Sequence, residues 1–300
     1  MERVVVGYDG SPAADSALEW VSDRALRGDR RVEVVLVARR LSFGPADEDR
    51  TLDRAETLLA SRVPGLPVET RRLGGSMPDT LVDAADGAGL LVVGVDRGHP
   101  IRAALHGWQS QRLSVRSPVP TCVVPRGWQS NGGPVIVGLG EDGSSDGALE
   151  FAAAEAEASS AALVVVHAWP PSGMPRGGGE SAMEESRVMH RRHADDAAAR
   201  ARRAHPGLTV RVEVAEHDAA SALERAADGS AMVVIGTHGR GILTGGLVGS
   251  VALDLIGQAS APVCVVPLTP VASPDARGGR ARTSTGGDGG RDAGSPEPAA

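Results

Sequence analysis

The chain has 300 residues, 41% of them hydrophobic and 23% charged, with a formal net charge of −7. That length provides for two domains with a core each, and the acidic balance excludes a general nucleic-acid or anionic-membrane binder, which needs excess cation. All 31 basic residues are arginine, which excludes a lysine Schiff base and a P-loop lysine.

In chain order, short β-branched runs alternate with Ala/Glu/Arg/Leu stretches of helical spacing. The first five strands are expected near 3–8, 32–37, 67–73, 90–94 and 119–124. Five more are expected near 134–139, 162–168, 208–214, 231–235 and 261–266, with the longest helix at about 180–204. Aromatics are only 2%, so the core must be Ala, Val and Leu. Continuous Val runs between helices indicate strands buried on both faces, hence a parallel, doubly wound sheet. Five strands per unit match a flavodoxin-like or Rossmann-like order. The arginines are scattered among carboxylates and read as solvated faces.

The second half repeats the first. Arg3-Val-Val-Val-Gly7 returns as Pro134-Val-Ile-Val-Gly138 at an offset of 131 residues, and Ala17–Trp20 as Ala148–Phe151. Farther on the offset is 142: Leu91–Gly94 returns as Val233–Gly236, and Pro120–Pro125 as Pro262–Pro267. The extra residues fall in the Pro/Gly-rich segment Pro170–Ser186, which reads as a surface loop. The expected organisation is a domain at 1–127, a linker at 128–133, a second domain at 134–268, and a Gly/Ser/Pro-rich tail at 269–300 too poor in apolar residues to fold. Cys122 and Cys264 lie in apolar strands, without a disulfide pattern. With no signal-peptide pattern at MERVVVGYDGS and no run of apolar residues long enough to span a bilayer, a cytoplasmic protein is expected.

The segment from Val233 to Leu253 concentrates the chemistry. A buried strand ends at Gly236, a glycine-rich loop follows, and Gly249-Ser250 begins a helix. Small residues let backbone N–H groups approach phosphate oxygens, and the helix start adds unpaired N–H groups and a positive dipole end. Ser250 can cap the helix or donate to a phosphate.

These residues resemble the universal stress protein family in its tandem, two-domain form. Gly236, Gly239, Gly249 and Ser250 match the family's ATP-binding pattern G-x2-G-x9-G-[S/T]. Val6-Gly7-Tyr8-Asp9-Gly10-Ser11 looks like its first strand and turn, where the Asp contacts the adenosine part of ATP. The Pro-x-Cys-Val-Val-Pro runs look like its last strand. The resemblance covers residues 1–268. It implies ATP, with Mg2+, on Gly236, Thr237, His238, Gly239, Gly249, Ser250 and Val251, and a regulatory role in stress with a protein partner that the residues do not identify.

Two departures stand out. Arg97 and Trp108 occupy the places of Gly239 and Ser250 in the first copy, so its phosphate loop reads as degenerate. In the second copy Gly140 stands where the first has Asp9, and Glu141 or Asp142 would have to substitute. His190 and His193, one helical turn apart among Arg191, Arg192, Asp195 and Asp196, read as an exposed helix face with no third metal ligand. His238 either touches phosphate or points to solvent. Ser144-Ser145 reads as a helix cap, with no histidine base placed beside it.

The expectation is therefore an adenine-nucleotide-binding regulatory module and not an enzyme, with a slow ATPase and a nucleotide-free scaffold as alternatives. The last strands of the two copies are apolar edges. They are expected to pair with each other as an internal pseudo-dimer, pairing with another chain being the alternative.

Overall fold

The computed structural model describes residues 1–38, 44–96, 117–141, 145–170, 180–237 and 250–268. The first half runs β1 (Glu2–Gly7), α1 (Pro12–Ala25), β2 (Arg30–Ala38), α2 (Pro45–Arg62), β3 (Val68–Gly74), α3 (Asp79–Ala84), β4 (Leu90–Val95) and β5 (Thr121–Pro125). The second runs β6 (Val135–Leu139), α4 (Asp146–Ala158), β7 (Leu163–Ala168), α5 (Glu180–Ala204), β8 (Val210–Ala215), α6 (Ala219–Ala227), β9 (Met232–Gly236), α7 (Ser250–Gln258) and β10 (Val263–Val266).

All ten strands join one sheet in the order β3-β2-β1-β4-β5-β10-β9-β6-β7-β8. Each half alone has the order 3-2-1-4-5, the Rossmann-type arrangement of the two doubly wound orders. Neighbours within a half are parallel, while β5 and β10 pair antiparallel, with Cys264 opposite Cys122. The last strands of the two copies thus pair with each other. β5 and β10 begin after Pro120 and Pro262, two residues later than the apolar runs suggest. A proline has no N–H for the ladder, although both prolines still accept from the neighbouring strand through their carbonyls.

Strand side chains alternate between two apolar layers. Val4, Val6, Val32, Val34, Val135 and Val137 face α1, α2, α4 and α5. Val5, Val35, Ile136, Val164, Val233 and Ile235 face α3, α6 and α7. Helices on both faces leave the strand ends as the accessible edges. Among the described residues, no helix is long and apolar enough to cross a membrane.

The view of the arginines as solvated is corrected at several positions. Arg24 is 5% exposed, and its side chain binds the carboxylates of Glu155 and Glu2. The buried Glu33 accepts from both Arg3, at 2.7 Å, and Arg71, at 2.5 Å. Interleaved charges therefore pair inward where helix or strand geometry lowers them into the interior, each buried charge meeting its opposite.

Candidate functional site

The strand order reverses between β6 and β9: from β6 the chain crosses to β7 on one side, and β9 lies on the other. In such sheets the crevice at the carboxyl ends of these strands receives ligands. β9 ends there at Gly236. Thr237 follows, its N–H donating to Val266 O at 3.0 Å and its Oγ accepting from the Leu268 N–H at 3.1 Å. The exit of β9 is thereby fastened to the end of β10.

α7 begins at Ser250, so the expected helix start lies where the glycine pattern ends, and the first N–H groups of α7 have no intrahelical partners. Val251 packs against the apolar layer containing Ile235 and Leu255, which makes it an anchor for the helix start. His238, Gly239 and Gly249 lie outside the described residues, as do Asp142 and Ser144 and the side chain of Ser250.

Across the crevice, the chain leaves β6 through Gly140. Both of its backbone groups are engaged: the N–H donates to Ser145 Oγ at 2.8 Å, and the carbonyl accepts from His193 Nε2 at 2.8 Å. Ser145 thus corrects its expected role. It sits at the N-cap of α4 but makes no side-chain cap bond; its oxygen accepts from the strand-end loop instead. Glu141 is exposed at this edge. In the first half, Asp9 is exposed and its Oδ1 accepts from the Ser11 N–H at 3.0 Å. Ser11 in turn caps α1 by accepting from the Ala14 N–H at 3.2 Å.

The exposed-face reading of His190 and His193 is also corrected. Both lie on the inward side of α5 and meet His167 of β7, which is 0% exposed. His167 Nδ1 lies 3.0 Å from Leu139 O, and a carbonyl can only accept, so this nitrogen carries a proton. In a neutral ring His167 Nε2 must then accept, and His190 Nδ1, 2.9 Å away, donates to it. Burial holds the His167 pKa below its usual value, and His190 and His193 add to the effect, while the Leu139 hydrogen bond and Glu141 oppose it. Trp169 stacks on His190 with centroids 4.6 Å apart, and its buried Nε1 has no hydrogen-bond partner among the described residues. Arg191, Arg192, Asp195 and Asp196 do face outward.

One helix face carries His190, His193, Ala194, Ala197, Ala198 and Ala201. That apolar continuation was the signal that the histidines point inward. Among the described residues, no group of His, Cys, Asp or Glu is arranged to hold a metal.

The sequence model of the universal stress protein family matches residues 1–125 and again 133–267. The chain belongs to the universal stress protein family. A universal stress protein of Mycolicibacterium smegmatis is 28% identical over 289 residues, covering 88% of this chain and 96% of that one. One from Mycobacterium tuberculosis is 29% identical over 286 residues, covering 87% and 96%. A crystal structure of a universal stress protein from Archaeoglobus fulgidus superposes with a TM-score of 0.63 at 18% identity, covering 89% of this chain and 98% of that chain. These matches span both halves, so the tandem arrangement is shared.

Within this family fold the two crevices differ. In the first half, Gly94 of β4 matches Gly236, while Arg97, Gly107 and Trp108 lie outside the described residues. Gly94 has a packing role of its own: a Cβ there would stand 2.0 Å from Ala13 O and 2.6 Å from Ala14 N. The first turn of α1 rests directly on that strand.

Proposed function

We propose that the second half binds an adenine nucleotide, ATP with Mg2+, and that occupancy regulates a protein partner. The carrying observation is the position of the glycine pattern. Its first glycine ends β9 beside the β6–β9 switch point, and its last two residues lead into α7. A strand end and a helix N-terminus flanking a Lys-free glycine loop supply backbone N–H donors and a positive dipole end, which suit a polyphosphate. The chemistry at these ends fits the ligand: Gly236 contributes no side chain, and the Thr237 hydroxyl keeps a proton to donate. Mg2+ would rest mainly on phosphate oxygens and water, as is usual for this ion.

The chain is a binding module in this reading, not an enzyme: its Lys-free glycine loop lacks the cation that usually reaches the phosphates in phosphoryl transfer. A cytoplasmic setting goes with it. The nucleotide-free scaffold is favoured by one observation: Gly140 replaces the Asp of the first half, and both its backbone groups are taken by Ser145 and His193. Losing that charged contact costs about 1–3 kcal/mol of affinity. Calorimetric titration of Mg·ATP into the full chain decides between them. One site per chain supports the proposal; absence of heat and of any thermal stabilisation at millimolar nucleotide favours the scaffold.

A further inference from the structure

The two halves meet about a local twofold axis. β5 and β10 are equivalent strands, and Cys122 faces its own equivalent, Cys264. Near such an axis a residue of one half meets the same position of the other. Arg24 and Glu155 are such a pair, separated by the offset of 131 that also carries the register Val4–Val32 onto Val135–Leu163. They contact each other: Arg24 Nε lies 3.0 Å from both Glu155 carboxylate oxygens and Nη2 lies 2.5 Å from Oε1. The side chains are 6% and 10% exposed.

The surroundings are equally unsymmetrical. On the first half's side, Glu2 accepts from Arg24 at 2.9 Å and from Arg30 at 3.0 Å. Arg27, just past the end of α1, forms an ion pair with Asp23 of that helix. The matching positions of the second half hold Gly133, Ala161, Ala158 and Ala154, none of them charged. Glu155 therefore draws its neutralising charge from the other half.

We infer that this inversion of charge at one equivalent position makes the join selective for unlike halves, so that a first half accepts a second half and rejects another first half. Two second halves joined along β10 would bring two Glu155 carboxylates together in a buried place with no cation. Two first halves would gather two Arg24 and two Arg30 against two Glu2. Each chain carries one half of each kind, so like-with-like joining would link chain to chain. An uncompensated buried charge is costly enough to oppose this. The same pair leaves reciprocal exchange of halves between two chains permitted.

The test uses full-length Arg24→Glu and Glu155→Arg variants. Each has like charges at the join within its own chain, and its melting temperature should fall by about 10 °C. Refolded together in equal amounts, they can bring opposite charges to the join only between two different chains, so a mixed dimer reports that the charge at this position decides which halves join. Native mass spectrometry, with one variant isotope-labelled, should then find a mixed dimer that neither variant forms alone. The double variant Arg24→Glu/Glu155→Arg should recover part of the lost melting temperature, since Glu2 still loses its Arg24 partner, and keep the wild-type oligomeric state. A mixture without mixed dimer, or single variants that melt like wild type, overturns the inference. If a single variant does not fold, folding of the double variant supports it, and a double variant less stable than either single overturns it.

Discussion

Cys122 of β5 and Cys264 of β10 stand opposite each other in the antiparallel register that joins the halves, and both are 0% exposed. Burial pushes both thiols well above their usual pKa, so the reactive thiolate is scarce. Neither should react with a thiol reagent in the native protein, and both should react once denaturant unfolds it. Rapid native labelling of either would contradict the closed join.

The join can also be tested from its other face. Val123 and Val265 are 2% and 1% exposed. Val123→Lys or Val265→Lys would bury an unpaired ammonium between the sheet and the helices. Each should cost about 3–5 kcal/mol and promote association through uncovered strand edges. Thermal melts and light scattering read both effects.

Gly94 and Gly138 offer a graded comparison. An added Cβ at Gly94 meets the α1 backbone at 2.0 Å, whereas at Gly138 the nearest atoms are side-chain carbons of Leu223 and Ile235, at 2.9 and 3.1 Å. Gly94→Ala should cost about 2–3 kcal/mol because a helix must shift, and Gly138→Ala about 1 kcal/mol because side chains can yield. Equal losses in denaturant melts would contradict this account of Gly94.

His167 gives the stability a pH dependence. Its folded pKa lies below its unfolded one, chiefly through burial. The unfolded chain then binds the proton more readily, so the contribution is complete above the ordinary imidazole value of about 6.5 and shrinks as pH falls through it. Melting temperatures should drop from pH 7 toward pH 5, and His167→Gln should flatten that slope. An unchanged slope in the variant would show that other groups carry it.

Thr269–Ala300 has too few apolar residues to bury. Removing it should leave the melting temperature of the remaining chain unchanged, as calorimetry would register.

The architecture was legible because Val runs separated by Ala-rich helices admit few alternatives, and the 131 and 142 offsets aligned the halves without a partner sequence. Helix α5 was expected over the range it occupies, and the pairing of the last strands followed from their apolar, uncharged character. Side-chain direction was less legible. His190 and His193 sit among charged neighbours, so the local composition read as surface; only the Ala194–Ala201 face shows which way the helix turns. His167 was hidden inside a Val run. Arg24 and Glu155 each look ordinary alone, and their meaning emerges when the repeat offset sets one on the other. At the candidate site the strand end at Gly236 and the helix start at Ser250 were both readable, because glycine and a capping residue mark such ends. The engagement of Gly140 by Ser145 and His193 was not, since it depends on contacts between distant segments.

The glycine pattern from Gly236 to Ser250 is the proposed nucleotide site of the second half. Gly239→Arg copies the residue that the first half carries at the matching position, Arg97. Titrating Mg·ATP into wild-type and variant chains, with melting curves alongside, tests that site. The wild type should bind close to one nucleotide per chain, and the variant should lose that binding while melting at the same temperature without ligand. Two equivalent sites in the wild type, or undiminished binding in Gly239→Arg, would contradict the assignment.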